Sequence, residues 1–273
     1  MKVGLIGCGA IGTALAHSIE EGKAGKVRLG WVYDVKRESC EGLVKKLKTK
    51  PKIARGISEI CDDKTTDIII EAASQSAVGQ YSLKAIKSGK DIMIISVGAL
   101  ADNRLLKSLR TEAERKGRKI YVPSGAIVGM DGVKSSELGG IQEAVLTTRK
   151  PPAAFQDNEY IANNKIKLIG LKGPKVIFDG TAREAVKAFP ASVNVAATLS
   201  LAGVGFDRTK VRVIADPKVT RNIHEIRVRG KSGELKMESR NMPFPGVPRT
   251  SYLAALSVIR TLKNLSDTIH VGT

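Results

Sequence analysis

The hydrophobic positions fall into two textures along the chain. Over roughly the first 125 residues, short apolar runs alternate with stretches of helical period. MKVGLIG (1–7) reads as a buried strand through Val3, Leu5 and Ile6. Ile11, Ala14, Leu15 and Ile19 then recur at helical spacing. VRLGWVYD (27–34) is a second strand, and a lysine-rich helix follows over about 38–48. TTDIIIEAAS (65–74) and DIMIISVGAL (91–100) are further strands, with helices over SAVGQYSLKAIKSG (76–89) and residues 102–116. KIYVPSGAI (119–127) is a sixth extended element. Strands that are apolar throughout and alternate with helices predict a parallel sheet covered on both faces.

Beyond about residue 130 the alternation stops. EAVLTTRK (143–150), PKVIFDG (174–180), KVRVIAD (210–216), NIHEIRVRG (222–230) and ELKMESR (234–240) read as strands, with KSG (231–233) turning a hairpin. One clear helix interrupts them, over 184–203, broken or begun afresh at Pro190. PPAAFQDNEYIANNKIKLIGLKG (151–173) is the least legible segment and reads as a surface excursion. TSYLAALSVIRTLKNL (250–265) is a strongly amphipathic helix.

Composition narrows the partners. The chain has 273 residues, 42% of them apolar, enough for two domains that each bury a core. No apolar run approaches the roughly 18–20 residues a bilayer span needs. The glycine-broken start MKVGLIGCGAIG lacks the pattern of a signal peptide. Cys8, Cys40 and Cys61 are odd in number and without metal-ligand spacing, so no metal is expected. A reduced, cytoplasmic setting is the simplest account. The net charge of +18 raises nucleic acid or a membrane surface as a partner. Yet the cations are scattered and mixed with acids, and aromatics make up only 4%, too few for a base-stacking platform. The expectation is a solvated basic surface that attracts anionic metabolites, with no nucleic acid and no membrane.

Gly7-Cys8-Gly9-Ala10-Ile11-Gly12 is a GxGxxG motif. It follows a strand, opens a helix and is followed by an acid, Asp34, at the end of the next strand. That context is the dinucleotide-binding fingerprint. Gly7 permits the tight turn, Gly9 lets backbone approach the pyrophosphate at the helix N-terminus, and Gly12 lets helix and strand pack closely. Ala10 and Ile11 supply the rest of that turn. Asp34 accepts from the adenosine ribose hydroxyls and argues for NAD, while Lys36 and Arg37 offset its repulsion of a 2′-phosphate. NAD with some use of NADP is the expectation. Small residues at later strand ends leave room for the cofactor: Ala72-Ala73-Ser74, Ser96-Val97-Gly98 and Ser124-Gly125-Ala126-Ile127. The fold expected is α/β: a Rossmann-type doubly wound parallel sheet over 1–125, with the helix 250–266 packing back onto it. A second α+β domain on a mostly antiparallel sheet covers 126–249.

Of three histidines, His17 lies in the first helix and His270 near the C-terminus. His224 falls on the apolar side of NIHEIRVRG, in line with Ile226 and Val228. A core imidazole satisfied by a hydrogen bond is the ordinary alternative. The second domain must supply the substrate side, and His224 is its one group titrating near neutrality on that side, which favours catalysis. Asn194 reads equally as a helix-start residue or as a hydrogen-bonding partner for a carboxamide. Thr147, Thr148, Arg149 and Lys150 could hold carboxylates or form a solvated strand end.

GLIGCGAIG, EAASQSAV, SGAI, LTTRK, FPASVNVAATLSLA, NIHEIRVRG and SYLAALSVIRTL, in that order, resemble the L-aspartate dehydrogenases of archaea and bacteria. The resemblance covers nearly the whole chain; it departs at 151–173, which looks like an insertion. It implies reversible conversion of L-aspartate, water and NAD(P)⁺ to oxaloacetate, ammonia and NAD(P)H, through an iminoaspartate that can feed NAD biosynthesis. It implies a catalytic His224, nicotinamide contacts at Ala126 and Asn194, and a homodimer formed through the second domain. The rivals are a dihydrodipicolinate-reductase-like or homoserine-dehydrogenase-like enzyme, or a nucleotide-sensing regulator without turnover.

Overall fold

The computed structural model describes residues 1–190, 194–244 and 247–272, with backbone only at 247–249. FPASVNVAATLSLA therefore has its residues 191–193 outside the described part. The chain divides into two compact units, Met1–Pro123 with Ala255–His270, and Ser124–Ala254 with the residues from Val271 on.

The first unit alternates β1 (Lys2–Ile6), α1 (Ala10–Glu20), β2 (Arg28–Tyr33), α2 (Arg37–Lys46), β3 (Lys52–Ile53), α3 (Ile57–Asp62), β4 (Ile68–Glu71), α4 (Gln75–Lys87), β5 (Asp91–Ile94), α5 (Asn103–Lys116) and β6 (Ile120–Tyr121). Every strand pair is parallel, in the order β3-β2-β1-β4-β5-β6. This is the Rossmann-type doubly wound order. Its direction reverses between β1 and β4, where ligands sit outside the carboxyl ends of the strands. Val3, Leu5, Ile68, Ile70 and Met93 lie in the core with Leu15 and Ile19 of α1, and Val258 and Leu262 of the C-terminal helix belong to the same cluster.

Three strands expected from the sequence are shorter in the structure, the run 65–74 pairing only over Ile68–Glu71. The run 91–100 is a strand only to Ile94, and Val97–Ala101 coils into a 3-10 turn. The reason is local: the backbone and hydroxyl of Ser96 are both captured by the Glu71 carboxylate, which pulls the chain out of the sheet. The element at 119–127 pairs only at Ile120–Tyr121. Pro123 has no N–H to give a ladder, and Gly125 has φ +68°, incompatible with a strand. The short β3 and α3 went unforeseen.

The second unit contains α6 (Met130–Gly139), β7 (Ile141–Lys150), α7 (Glu159–Asn163), β8 (Lys175–Thr181), α8 (Ala182–Ala188), α9 (Asn194–Ala202), β9 (Thr209–Ala215), β10 (Asn222–Gly230), β11 (Gly233–Asn241), β12 (Pro243–Phe244) and β13 (Val247–Ser251). α10 (Tyr252–Asn264) then leads back into the first unit. The main sheet runs β11-β10-β7-β9-β8. It is antiparallel except for β7 with β9. The 184–203 stretch divides into α8 and α9 on either side of Pro190, as the proline implied, whereas α6, which precedes the sheet, and the short α7 were not foreseen. α6 escaped detection because MDGVKSSELG buries only Val133 and Ser136, too little apolar surface to show a period. Segment 151–173 is more than a surface excursion. Its Phe155 and Ile161 are buried, and Phe155, Tyr160, Phe178 and Phe189 interlock in edge-to-face and tilted pairs at centroid distances of 5.3–5.9 Å.

Candidate active site

In the first unit, the turn after β1 is built from backbone. Gly7 has φ +97°, and a Cβ there would lie 2.6 Å from the Ala72 carbonyl oxygen. Gly12 is buried against Gly7, with no room for a side chain. Gly9 differs: it is exposed, and a Cβ on it would meet nothing within 4 Å. Gly9 is also the N-cap of α1, and no side chain caps that end. No side chain therefore satisfies the first N–H groups of this 11-residue helix. Ala10 and Ile11 are half-buried beside it. These residues fit a dinucleotide pyrophosphate: N–H donors, a helix dipole and a gap that any side chain at Gly9 would fill.

Asp34 reaches back to this turn. Its Oδ2 accepts from the Cys8 N–H at 2.8 Å and its Oδ1 from the Lys36 N–H at 2.9 Å. Each carboxylate oxygen retains a second lone-pair site for a ribose hydroxyl. Arg37 is engaged with Glu41 at 3.0 Å. Cys8 and Cys40 bring their Sγ atoms to 3.5 Å, and burial pushes both thiols up, so they pack as hydrophobes.

A residue that the sequence reading missed organises the neighbouring strand ends. Glu71, fully buried at the end of β4, accepts from the N–H groups of Ala73 and Ser74, both at 2.8 Å. It also accepts from the Ser96 N–H at 3.0 Å and the Ser96 hydroxyl at 2.9 Å. Burial pushes its pKa up, while those donors favour the charged form. Ala73 and Ser74 are exposed, and the Ser74 hydroxyl caps α4 by accepting from Ala77 N–H. The acid in IIIEAAS was the available signal.

The second unit carries a buried polar patch on the sheet face under its helices. His224 is 3% exposed, whereas Arg227 and Arg229 of the same strand are exposed on the other face. Across the strands His224 faces Ser239 of β11 and Thr148 of β7. Its Nδ1 lies 3.0 Å from the Thr148 hydroxyl. One step along, Asn222 faces Asn241 and donates to the Ser251 hydroxyl at 3.3 Å. Lys150, 3% exposed, ends β7 two residues beyond Thr148, on the same face by the strand period. Burial, with the Lys150 ammonium as a smaller cause, lowers His224 to about 3, so the ring is neutral at ordinary pH. Burial likewise lowers Lys150 to about 8.

This patch reaches the SGAI loop. The Ala126 carbonyl accepts from the Ser239 hydroxyl at 2.8 Å and from the Asn241 amide at 2.9 Å. Ser239, cross-strand neighbour of His224, therefore ties Ala126 to the histidine's row. A Cβ built on Gly125 would come 3.9 Å from Val195 Cγ1, the residue after half-buried Asn194 at the start of α9. For Thr148 and Lys150 the solvated strand end is overturned: both are buried. Arg149 pairs instead with Asp216 at 2.9 Å. His17 is half-buried in the last turn of α1, and His270 is exposed. Ser239 and Asn241 lay outside the sequence reading, since only strand register brings them to His224 and Asn222, which alternation already places on one face. Among the described residues no group of three or more His, Cys, Asp or Glu side chains is placed to hold a metal, and no helix is long and apolar enough to cross a membrane.

Comparison with known proteins places both units. Residues 131–265 match the family model described as aspartate dehydrogenase, C-terminal. Residues 7–123 match that of the homoserine dehydrogenase NAD binding domain. The chain is 48% identical to an L-aspartate dehydrogenase of Methanococcoides burtonii, with all of both chains covered. It is 45% identical to that of Methanosarcina mazei, again over the whole of both. The crystal structure of an aspartate dehydrogenase from Thermotoga maritima superimposes with a TM-score of 0.78 at 30% identity, covering 100% of this chain and 99% of that one.

Proposed function

The chain belongs to the L-aspartate dehydrogenase family, an oxidoreductase family with an NAD(P)-binding domain, and from that premise we propose how its residues divide the reaction. The reaction is oxidative deamination of L-aspartate to oxaloacetate and ammonia, with reductive amination as its reverse. The nicotinamide, when bound, takes the hydride from the amine-bearing carbon or returns it. Gly7, Gly9, Ala10, Ile11 and Gly12 hold the dinucleotide, with Asp34 at the ribose, Ala73 and Ser74 at the neighbouring strand end, and Ala126 and Asn194 at the carboxamide.

His224 is the general base. Nδ1 lies 3.0 Å from the Thr148 hydroxyl; with the ring proton assigned to Nδ1 in this reading, Nε2 keeps its lone pair and takes a proton from the water that attacks the imine carbon. It returns that proton to the departing amine. The step requires a neutral ring; burial keeps His224 neutral at ordinary pH and at the same time lowers its basicity. The observation that carries the reading is one buried polar patch in which His224 of NIHEIRVRG meets Thr148 of LTTRK directly and the Ala126 backbone carbonyl of SGAI by way of its cross-strand neighbour Ser239.

NAD is the preferred nucleotide in this proposal, with NADP also used, because Asp34 disfavours a 2′-phosphate. The protein acts as a homodimer, and its imine product serves NAD biosynthesis. The test is oxidation of reduced cofactor in the presence of oxaloacetate and ammonium, run with NADH and NADPH. Turnover that needs both co-substrates supports the reading. No turnover with either nucleotide ends it, and a strong preference for NADPH ends the assignment of NAD.

A further inference from the structure

We propose that Lys150 is the cation that holds a carboxylate of the dicarboxylate substrate beside His224. The inference rests on the functional reading above and adds the group that recognises the substrate's charge.

Position carries the argument. Lys150 and Thr148 are alternate residues of β7, so both side chains leave the same face, about 6.6 Å apart along the strand. Thr148 is committed to the imidazole, and the lysine stem is long enough to bring its ammonium alongside. Its charge is felt at the ring. Arg149 points the other way and is held by Asp216. Of the two cations in LTTRK, only Lys150 shares the histidine's face. Asn222, Asn241 and Ser239 on this face are neutral, so they contribute hydrogen bonds but no charge.

The substrate's chemistry supplies the other half. Aspartate and oxaloacetate carry two carboxylates within a four-carbon skeleton, one of them bonded directly to the reacting carbon. A base that acts on that carbon must therefore tolerate an anion within a few bonds of it. In a desolvated site the anion needs a cationic partner. Lys150, lowered to about 8, is still mostly protonated at pH 7 and meets that need.

The experiment compares Lys150→Met, Lys150→Arg and Lys210→Met. The last removes the same charge from an exposed lysine outside the site. A charge-assisted hydrogen bond contributes about 1.5–3 kcal/mol, so Lys150→Met should raise KM for oxaloacetate roughly 10- to 100-fold. Binding of NADH should stay within two-fold or so. Lys150→Arg should recover most of the KM, and Lys210→Met should leave it unchanged. An unchanged KM in Lys150→Met, with only kcat reduced, overturns the proposal and leaves Lys150 acting through His224. Should Lys150→Met fail to fold, Lys150→Gln replaces it, and equal KM values for Gln and Arg variants overturn the proposal equally. A wild type without oxaloacetate turnover sinks the functional reading instead. Stabilisation of the wild type against heating by succinate, lost in Lys150→Gln, then tests the carboxylate site by itself.

Discussion

In the reading proposed above, the two units hold anionic ligands by opposite means. The first uses backbone: the exposed Gly9, the uncapped start of α1 and the tight turn at Gly7. The second uses buried side chains from several strands, His224, Thr148, Lys150, Ser239, Asn222 and Asn241. A backbone site depends on which residues are absent, and a side-chain site depends on which are present and in what register. The first therefore tolerates burial of little polar side-chain surface. The second must satisfy every polar group it buries, and the bonds from Ser239 and Asn241 to Ala126 and from Thr148 to His224 meet part of that requirement.

The sharpest way to break the contrast is Gly9→Val. A Cβ built there meets nothing within 4 Å, so stability should hold to within about 0.5 kcal/mol. The new side chain would occupy the pyrophosphate position. Losing two charge-assisted N–H bonds of about 1.5–3 kcal/mol each corresponds to a rise in the dissociation constant for NADH on the order of 10² to 10⁴-fold. Fluorescence titration with NADH checks it. Unaltered affinity would mean the turn is not the cofactor cradle.

Glu71 is the exception within the first unit, a buried acid that shapes backbone. Glu71→Gln turns an N–H₂ toward N–H donors, and should cost about 1–3 kcal/mol in denaturant unfolding. It should also weaken NADH binding less than Gly9→Val does. A neutral effect on stability would show that Ala73, Ser74 and Ser96 hold their places unaided.

The second unit should reveal itself in acid. The unfolded chain protonates His224 near its ordinary 6.5, whereas the folded ring waits until about 3. Between those values the unfolded state binds one proton more, so stability falls as pH drops, by up to about 1.4 kcal/mol per unit from this site. Above 6.5 the ring is neutral in both states and contributes no slope. Equilibrium unfolding of wild type and His224→Gln across pH 7 to 4 should show the variant flatter by one proton. Parallel curves would place the ring in contact with solvent.

How far each unit was legible in the sequence follows the same division. Gly7, Gly9, Gly12 and Asp34 announce themselves by spacing because their function is local to one turn and one strand end. NIHEIRVRG showed its buried face by simple alternation, which is why His224 could be singled out. Alternation puts Asn222 on the same face, but Ser239 and Asn241 become neighbours of Ala126 only through strand pairing and loop placement, which no local pattern records. Lys150 was read as equally fit for a solvated strand end because a lone Lys carries no sign of burial. α6 was lost for want of an apolar stripe. The run at 91–100 was read too long because the force that bends it, the Glu71 carboxylate, comes from another strand.

The most direct test measures cofactor binding and turnover on one variant, His224→Ala. The account predicts NADH affinity within about two-fold of wild type, because the dinucleotide cradle is elsewhere. It predicts kcat for oxaloacetate with ammonium lower by roughly 10² to 10⁴-fold, the usual contribution of a general base. Full turnover in that variant, or loss of NADH binding equal to the loss of rate, would contradict it.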